Sequence, residues 1–171
     1  MIEIERTFLA KHLPKNLAQA EEMKDTYYPN TSTHPYLRIR KRANHYMITR
    51  KQPLIETDAS TQQEDTLTLN KEEYDNLTQA PGKEIAKNRY TTTIEGRKAE
   101  IDVFTEKLAG LILIDFEFEN EKEAKQFVMP ECCLAEVTQE EFIAGGMLAG
   151  KSYEDIQEEL HKYDYKPIHY A

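Results

Sequence analysis

Charged residues recur two positions apart along this 171-residue chain: Glu3 and Glu5, Arg38 and Arg40, Lys87 and Arg89, Glu100 and Asp102, Asp115 and Glu117. On a β-strand that spacing puts both members of a pair on one face, about 6–7 Å apart. Two carboxylates held so close repel unless a cation sits near them. Arginines and lysines from neighbouring strands would supply a polyanion site, with phosphate as the natural ligand. Carboxylates brought beside such cations suggest Mg2+ or Mn2+, held by acidic oxygens and by substrate phosphates. On a flat sheet the same residues would simply face water. If the sheet closes into a barrel they point inward, where unpaired charge costs several kcal/mol per ion. Such an interior suits a site better than a core. Patterning alone leaves the barrel and an open sheet covered by helices equally good.

The elements that must position these residues read mostly as strands. Met1–Leu9 alternates Ile2, Ile4 and Phe8 against Glu3, Glu5 and Thr7. Leu13, Leu17 and Ala20 predict a helix over Pro14–Met23, followed by a short strand, Lys24–Tyr28, stopped by Pro29. Tyr36–Lys51 predicts a hairpin turning at Arg42–His45, with the arginines on one side and Leu37 and Ile39 on the other. Gln52–Ser60 carries no pattern and is expected to be a mobile loop, before the alternating Thr61–Leu69. Asn70, with Glu73 three residues on, predicts a capped helix. Ile85–Ile94, Lys98–Val103, Leu111–Glu119 and Leu134–Thr138 predict four more strands, and Glu121–Phe127 a short helix. Helices over Gln139–Leu148 and Tyr153–Lys162 close the chain. The apolar runs Ile2/Ile4, Leu37/Ile39, Leu67/Leu69 and Ile112/Ile114/Phe116/Phe118 are expected to need helical cover. Strands in hairpins with helices inserted define an α+β class around a large antiparallel sheet.

Composition narrows the function. With 31 acidic against 22 basic residues, the net charge of −9 argues against general nucleic-acid binding. No run has the length of a membrane span, and the first residues lack the apolar stretch of a secretion signal. The two cysteines, Cys132 and Cys133, are adjacent, offer no disulfide framework and point to a reducing, cytoplasmic compartment. The five histidines are scattered, with no readable Ser-His-Asp or Cys-His arrangement.

Short motifs then add up in order. Glu3-Ile4-Glu5-Arg6 resembles the ExExK opening of the CYTH domain, the triphosphate tunnel metalloenzymes, and Asp25-Thr26-Tyr27-Tyr28 its DxYY strand. Leu37-Arg38-Ile39-Arg40 resembles its LRxR, Thr49-Arg50-Lys51 its TxK, and Lys87-Asn88-Arg89 its KxR. Ile101–Phe104, Asp115–Phe118 and Glu136–Thr138 resemble its IDxF, ExEF and EVT. The resemblance covers about residues 1–150, leaving 151–171 as a helix and tail packed on the same domain. It implies an eight-stranded antiparallel β-barrel, open at both ends, with flanking helices and a triphosphate inside.

Transferred residue by residue, it implies Glu3, Glu5, Glu64, Asp115 and Glu117 as ligands of Mg2+ or Mn2+. Arg38, Arg40, Lys51, Lys87 and Arg89 would hold phosphates, with Lys51 and Tyr28 catalytic. This chain departs from the pattern at Thr7, which stands at the motif lysine, at Asp115, where Glu is usual, and at Gln62, Thr66 and Thr68. The implied activity is hydrolysis of inorganic triphosphate or a small organic triphosphate by a monomer or homodimer. Two rivals stay open: a class IV adenylyl cyclase, and a non-catalytic polyphosphate- or nucleotide-binding module.

Overall fold

Period-two alternation dominates the chain because each strand must keep an apolar side out and a charged side in. The computed structural model describes residues 1–15 and 17–170. Its strands are β1 (Ile2–Ala10), β2 (Glu21–Tyr28), β3 (Leu37–Arg42), β4 (His45–Ile55), β5 (Asp58–Leu69), β6 (Lys83–Ile94), β7 (Arg97–Phe104), β8 (Ile112–Phe118) and β9 (Cys133–Glu136). The first eight lie antiparallel in the order β5-β4-β3-β2-β6-β7-β8-β1. Ile2–Ile4 of β1 pair with Thr61–Gln63 of β5, which closes the sheet into an eight-stranded barrel. Beyond that contact β1 pairs with the short β9 instead. Closure leaves every strand with an inside and an outside, so the two-residue spacing becomes inward against outward.

The helices are α1 (Lys71–Leu77), α2 (Glu121–Gln126), α3 (Gly145–Leu148) and α4 (Tyr153–His161). Asn70 and Glu73 form the expected capping box on α1. Outside the barrel, Phe8, Ile112, Ile114, Phe116 and Phe118 pack with Ala124 and Phe127 in one apolar cluster. Leu13, Leu17 and Ala20 pack there too, but not from a helix. The described residues between β1 and β2 form no regular element, Glu21–Met23 already belong to β2, and Asn16 lies outside the described residues. Helical spacing of three apolar residues there reflects three separate contacts of a loop with the barrel wall.

The expected loop at Gln52–Ser60 is instead the end of a hairpin. Gln52 pairs with Gln63 and Pro53 with Gln62. The hairpin carries polar residues on both sides, so no alternation betrayed it. Nor does a helix cover every apolar run, since Ile2 and Leu67 are 62% and 70% exposed. The helix expected over Gln139–Leu148 breaks into a 3-10 turn, Glu141–Ile143, and the four-residue α3.

A second apolar cluster fills one end of the barrel. Leu9, Tyr27, Ile85, Phe104 and Leu113 meet Ile143 and Leu148 from the segment after β9, with Ile156, Leu160 and Tyr165 behind them. The Tyr165 hydroxyl accepts from Ile112 N at 2.9 Å and donates to Gly110 O at 2.8 Å, which ties the tail to β8. The barrel is therefore stoppered over part of one end rather than open through its full width.

Candidate active site

The charged faces all turn inward, around a cavity of about 890 Å3. Its lining includes Glu3, Glu5 and Thr7 of β1, Arg38 and Arg40 of β3, Lys51 of β4 and Glu64 of β5. Lys87 and Arg89 of β6, Glu100 and Asp102 of β7, and Asp115 and Glu117 of β8 line it as well.

The basic side is built on two buried aspartates. Asp25 of β2 accepts two hydrogen bonds from Arg40, at 2.6 and 2.7 Å. Burial alone would raise the Asp25 carboxyl, but Arg40, with Arg38 and Lys87 nearby, overrides it and holds the group at about 2. Asp102 accepts from Arg89 Nε at 2.6 Å and Nη2 at 2.7 Å, and also from Lys87. Its burial is likewise outweighed by Arg89 and Lys87, so its carboxyl lies well below the usual range. Lys87 shows the opposite balance. Burial lowers the amine, Asp102 resists, and Arg89 and Arg40 add to the lowering. Arg38 is less satisfied. It donates to the Tyr27 hydroxyl at 3.3 Å and lies 3.6 Å from Glu64. Among the described residues, its Nε is the one buried side-chain nitrogen or oxygen without a hydrogen-bond partner.

On the acidic side, Lys51 Nζ stands 2.9 Å from Glu3, 2.9 Å from Glu5 and 4.0 Å from Glu64. Burial opposes its charge, but Glu5 and Glu3 together raise the amine above its ordinary range. On the neighbouring strands, Glu5 is the direct cross-strand partner of Glu117, Thr7 of Asp115, and Glu100 of Asp115. Like charges directly opposite on neighbouring strands destabilise a sheet. Burial pushes Asp115 up to about 7, aided by Glu5 and Asp102, while Arg89 and Thr7 pull it back. Opposed carboxylates of this kind offer the hard oxygen donors that Mg2+ or Mn2+ takes, so the residues present fit such an ion. Among the described residues they are not drawn into one three-ligand cluster. Glu3, Glu5 and Glu64 gather around Lys51, and Asp115 stands apart with Thr7, while Glu117 lies at the rim with its side chain 51% exposed.

Tyr28 is not brought to this set. Its strand parity points it outward, where its hydroxyl donates to Ala80 O at 3.2 Å. Tyr27 takes the inward place, beside Arg38. The other ten residues singled out from the sequence all line the cavity. Asp25 and Tyr27 were missed as site residues although the alternation of β2 puts them together on one face. The lining residues between Thr138 and Gly146 were missed as well, because they belong to turns and to the start of the four-residue α3, too short to show a period.

The sequence model of the CYTH domain matches residues 1–130, and the chain belongs to the CYTH domain family. It is 29% identical over 142 residues to the inorganic triphosphatase of Nitrosomonas europaea, spanning 82% of this chain and 91% of that one. The crystal structure of an inorganic triphosphatase superposes with a TM-score of 0.65 at 28% identity, covering 87% of this chain and 95% of the other. A candidate adenylate cyclase from Bacillus halodurans shares the fold, with a TM-score of 0.54 at 17% identity over 99% of this chain and 93% of that one. No helix among the described residues is long and apolar enough to cross a membrane.

Proposed function

We propose that this protein is a Mg2+- or Mn2+-dependent triphosphatase that hydrolyses inorganic triphosphate or a small organic triphosphate inside the barrel. The observation that carries the reading is the largely buried cation wall of Arg38, Arg40, Lys87 and Arg89, with Arg38 Nε left without a partner. Two buried aspartates fix that wall, and a further polyanion would complete it. The relationship to an inorganic triphosphatase supports the same substrate class.

The cations bind the phosphates and hold them in line, which converts positioning into rate. Glu3, Glu5, Asp115 and Glu117, with Glu64 beside Lys51, would hold the metal, which when bound neutralises phosphate charge and polarises the anhydride. Lys51, between the carboxylates and the cation wall, can donate to a phosphate oxygen once released from Glu3 and Glu5. Thr7 offers a neutral donor where the family motif has lysine, so turnover is slow relative to binding. The protein acts in the cytoplasm as a monomer or homodimer.

A substrate panel with Mg2+ and with Mn2+, scored for each product, tests the reading. Orthophosphate from triphosphate is the expected result. Cyclic nucleotide with pyrophosphate would overturn it in favour of a cyclase, and calorimetric binding without turnover in favour of a binding module.

A further inference from the structure

The segment after β9 lies beyond the region matched by the family model, yet it reaches the cation wall. At its centre Gly145 meets Tyr27. A Cβ on Gly145 would stand 2.1 Å from the Tyr27 hydroxyl oxygen, far inside contact distance. A Cβ on Gly146 would stand 2.1 Å from Pro35 O. The segment cannot draw back easily, because Ile143 and Leu148 on either side are buried in the apolar cluster that also holds Tyr27. Leu148 N and Ala149 N close helical hydrogen bonds onto Ala144 O and Gly145 O, each at 2.9 Å. Tyr27 itself is 5% exposed, and its hydroxyl accepts from Arg38 Nη1. Bulk at residue 145 is thus felt at the Arg38 guanidinium, the least satisfied cation of the wall.

We propose that Tyr27 is a positioning residue for Arg38, held in place by the side-chain-free surface of Gly145, and that through this pair the segment after β9 sets the grip on triphosphate. The inference rests on the triphosphatase reading and adds to it Gly145, which lies in no motif, and a role for Tyr27. Tyr27 acts on the substrate only through Arg38. Its loss should therefore weaken binding, leave the chemical step largely alone, and matter only while Arg38 is present.

The test uses the full chain and inorganic triphosphate, with Y27F, G145A, R38A and the double variant Y27F/R38A. Y27F removes the oxygen but keeps the ring that packs the barrel end. Losing a hydrogen bond made by a charged group should raise KM about tenfold, with kcat within about twofold. G145A should move KM the same way, and Y27F should add nothing in the R38A background. In the ligand-free protein, 15N NMR should show the Arg38 Nε–H signal shifted in Y27F. An unshifted signal, an unchanged KM in Y27F, or a full further KM penalty on top of R38A would overturn the proposal. If wild type neither binds nor cleaves triphosphate, the triphosphatase reading falls, while the NMR comparison still decides whether Tyr27 sets Arg38. Should G145A fail to fold, Y27F and the double variant carry the test alone.

Discussion

Thr7 Oγ1 donates a 2.7 Å hydrogen bond to Asp115 Oδ1 across the β1–β8 pair. The hydroxyl orients a carboxylate but brings no charge to the site. A lysine at this position would add a charge-assisted contact, and losing one such contact in a transition state typically slows a reaction about 10²–10³-fold. Thr7→Lys is therefore expected to raise kcat by a factor in that range, with little change in KM for inorganic triphosphate. Steady-state kinetics checks it, and an unchanged kcat in a fast wild-type enzyme would show that another group orients the attacking water.

Asp115 also ties stability to pH. Its carboxyl titrates at about 7 in the folded chain, against about 4 when unfolded. Between those values the folded state holds a proton that the unfolded state has released, so stability falls as pH rises from about 4 to about 7. Asp25 runs the other way. Its folded value of about 2 gives a contribution fully present above about 4 and lost as pH falls through about 2. Urea unfolding of the metal-free protein should therefore show a lower midpoint at pH 7.5 than at about pH 4.5. Asp115→Asn should flatten that slope, and a slope unchanged in the variant would remove Asp115 as its source.

Much of this was legible in the sequence because a barrel wall makes spacing equal to facing. Glu3/Glu5, Arg38/Arg40 and Lys87/Arg89 could be placed together from parity alone. The same rule turns Tyr28 away from the site: in the run Asp25-Thr26-Tyr27-Tyr28 parity joins Asp25 to Tyr27 and leaves Tyr28 on the opposite face. Closure was not legible in the alternation, because it rests on three residues of β1 pairing with β5, a contact that no local pattern encodes; only the order of the motifs implied it. Gly145 carried no signal either. Its role comes from the approach of a tyrosine 118 positions earlier in the chain, which only the folded chain brings about.

Glu5 stands where the metal requirement can be read. Its carboxylate accepts from Lys51 at 2.9 Å and from Gln62 at 3.4 Å, and it faces Glu117 on the next strand. Glu5→Gln keeps the shape and removes a hard anionic ligand. The Mn2+ concentration for half-maximal activity should rise at least about tenfold, as one charged oxygen leaves a small set of donors. Metal titration of activity, alongside calorimetry with Mn2+ alone, checks this. The same variant relieves repulsion around Asp115, so the pH slope of metal-free stability should shift to lower pH. A variant with wild-type metal dependence and an unmoved slope would return Glu5 to an ordinary polar lining.

Asp102 is the keystone of the cation wall, bonded to both Lys87 and Arg89 and itself only 2% exposed. Asp102→Asn preserves its volume but leaves two largely buried cations without their shared anion. Breaking a buried ion pair from one side typically destabilises a protein by about 3–5 kcal/mol, more than most single substitutions. The loss should be partly recovered by inorganic triphosphate, whose charge can stand in for the missing carboxylate beside Lys87 and Arg89. Wild type should gain less from the same ligand concentration, because its cations are already partnered. Thermal unfolding with and without triphosphate, at fixed ionic strength to separate binding from screening, measures both quantities. A variant as stable as wild type, or one no better rescued by triphosphate than by an equal charge of chloride, would show that Asp102 does not hold the wall together.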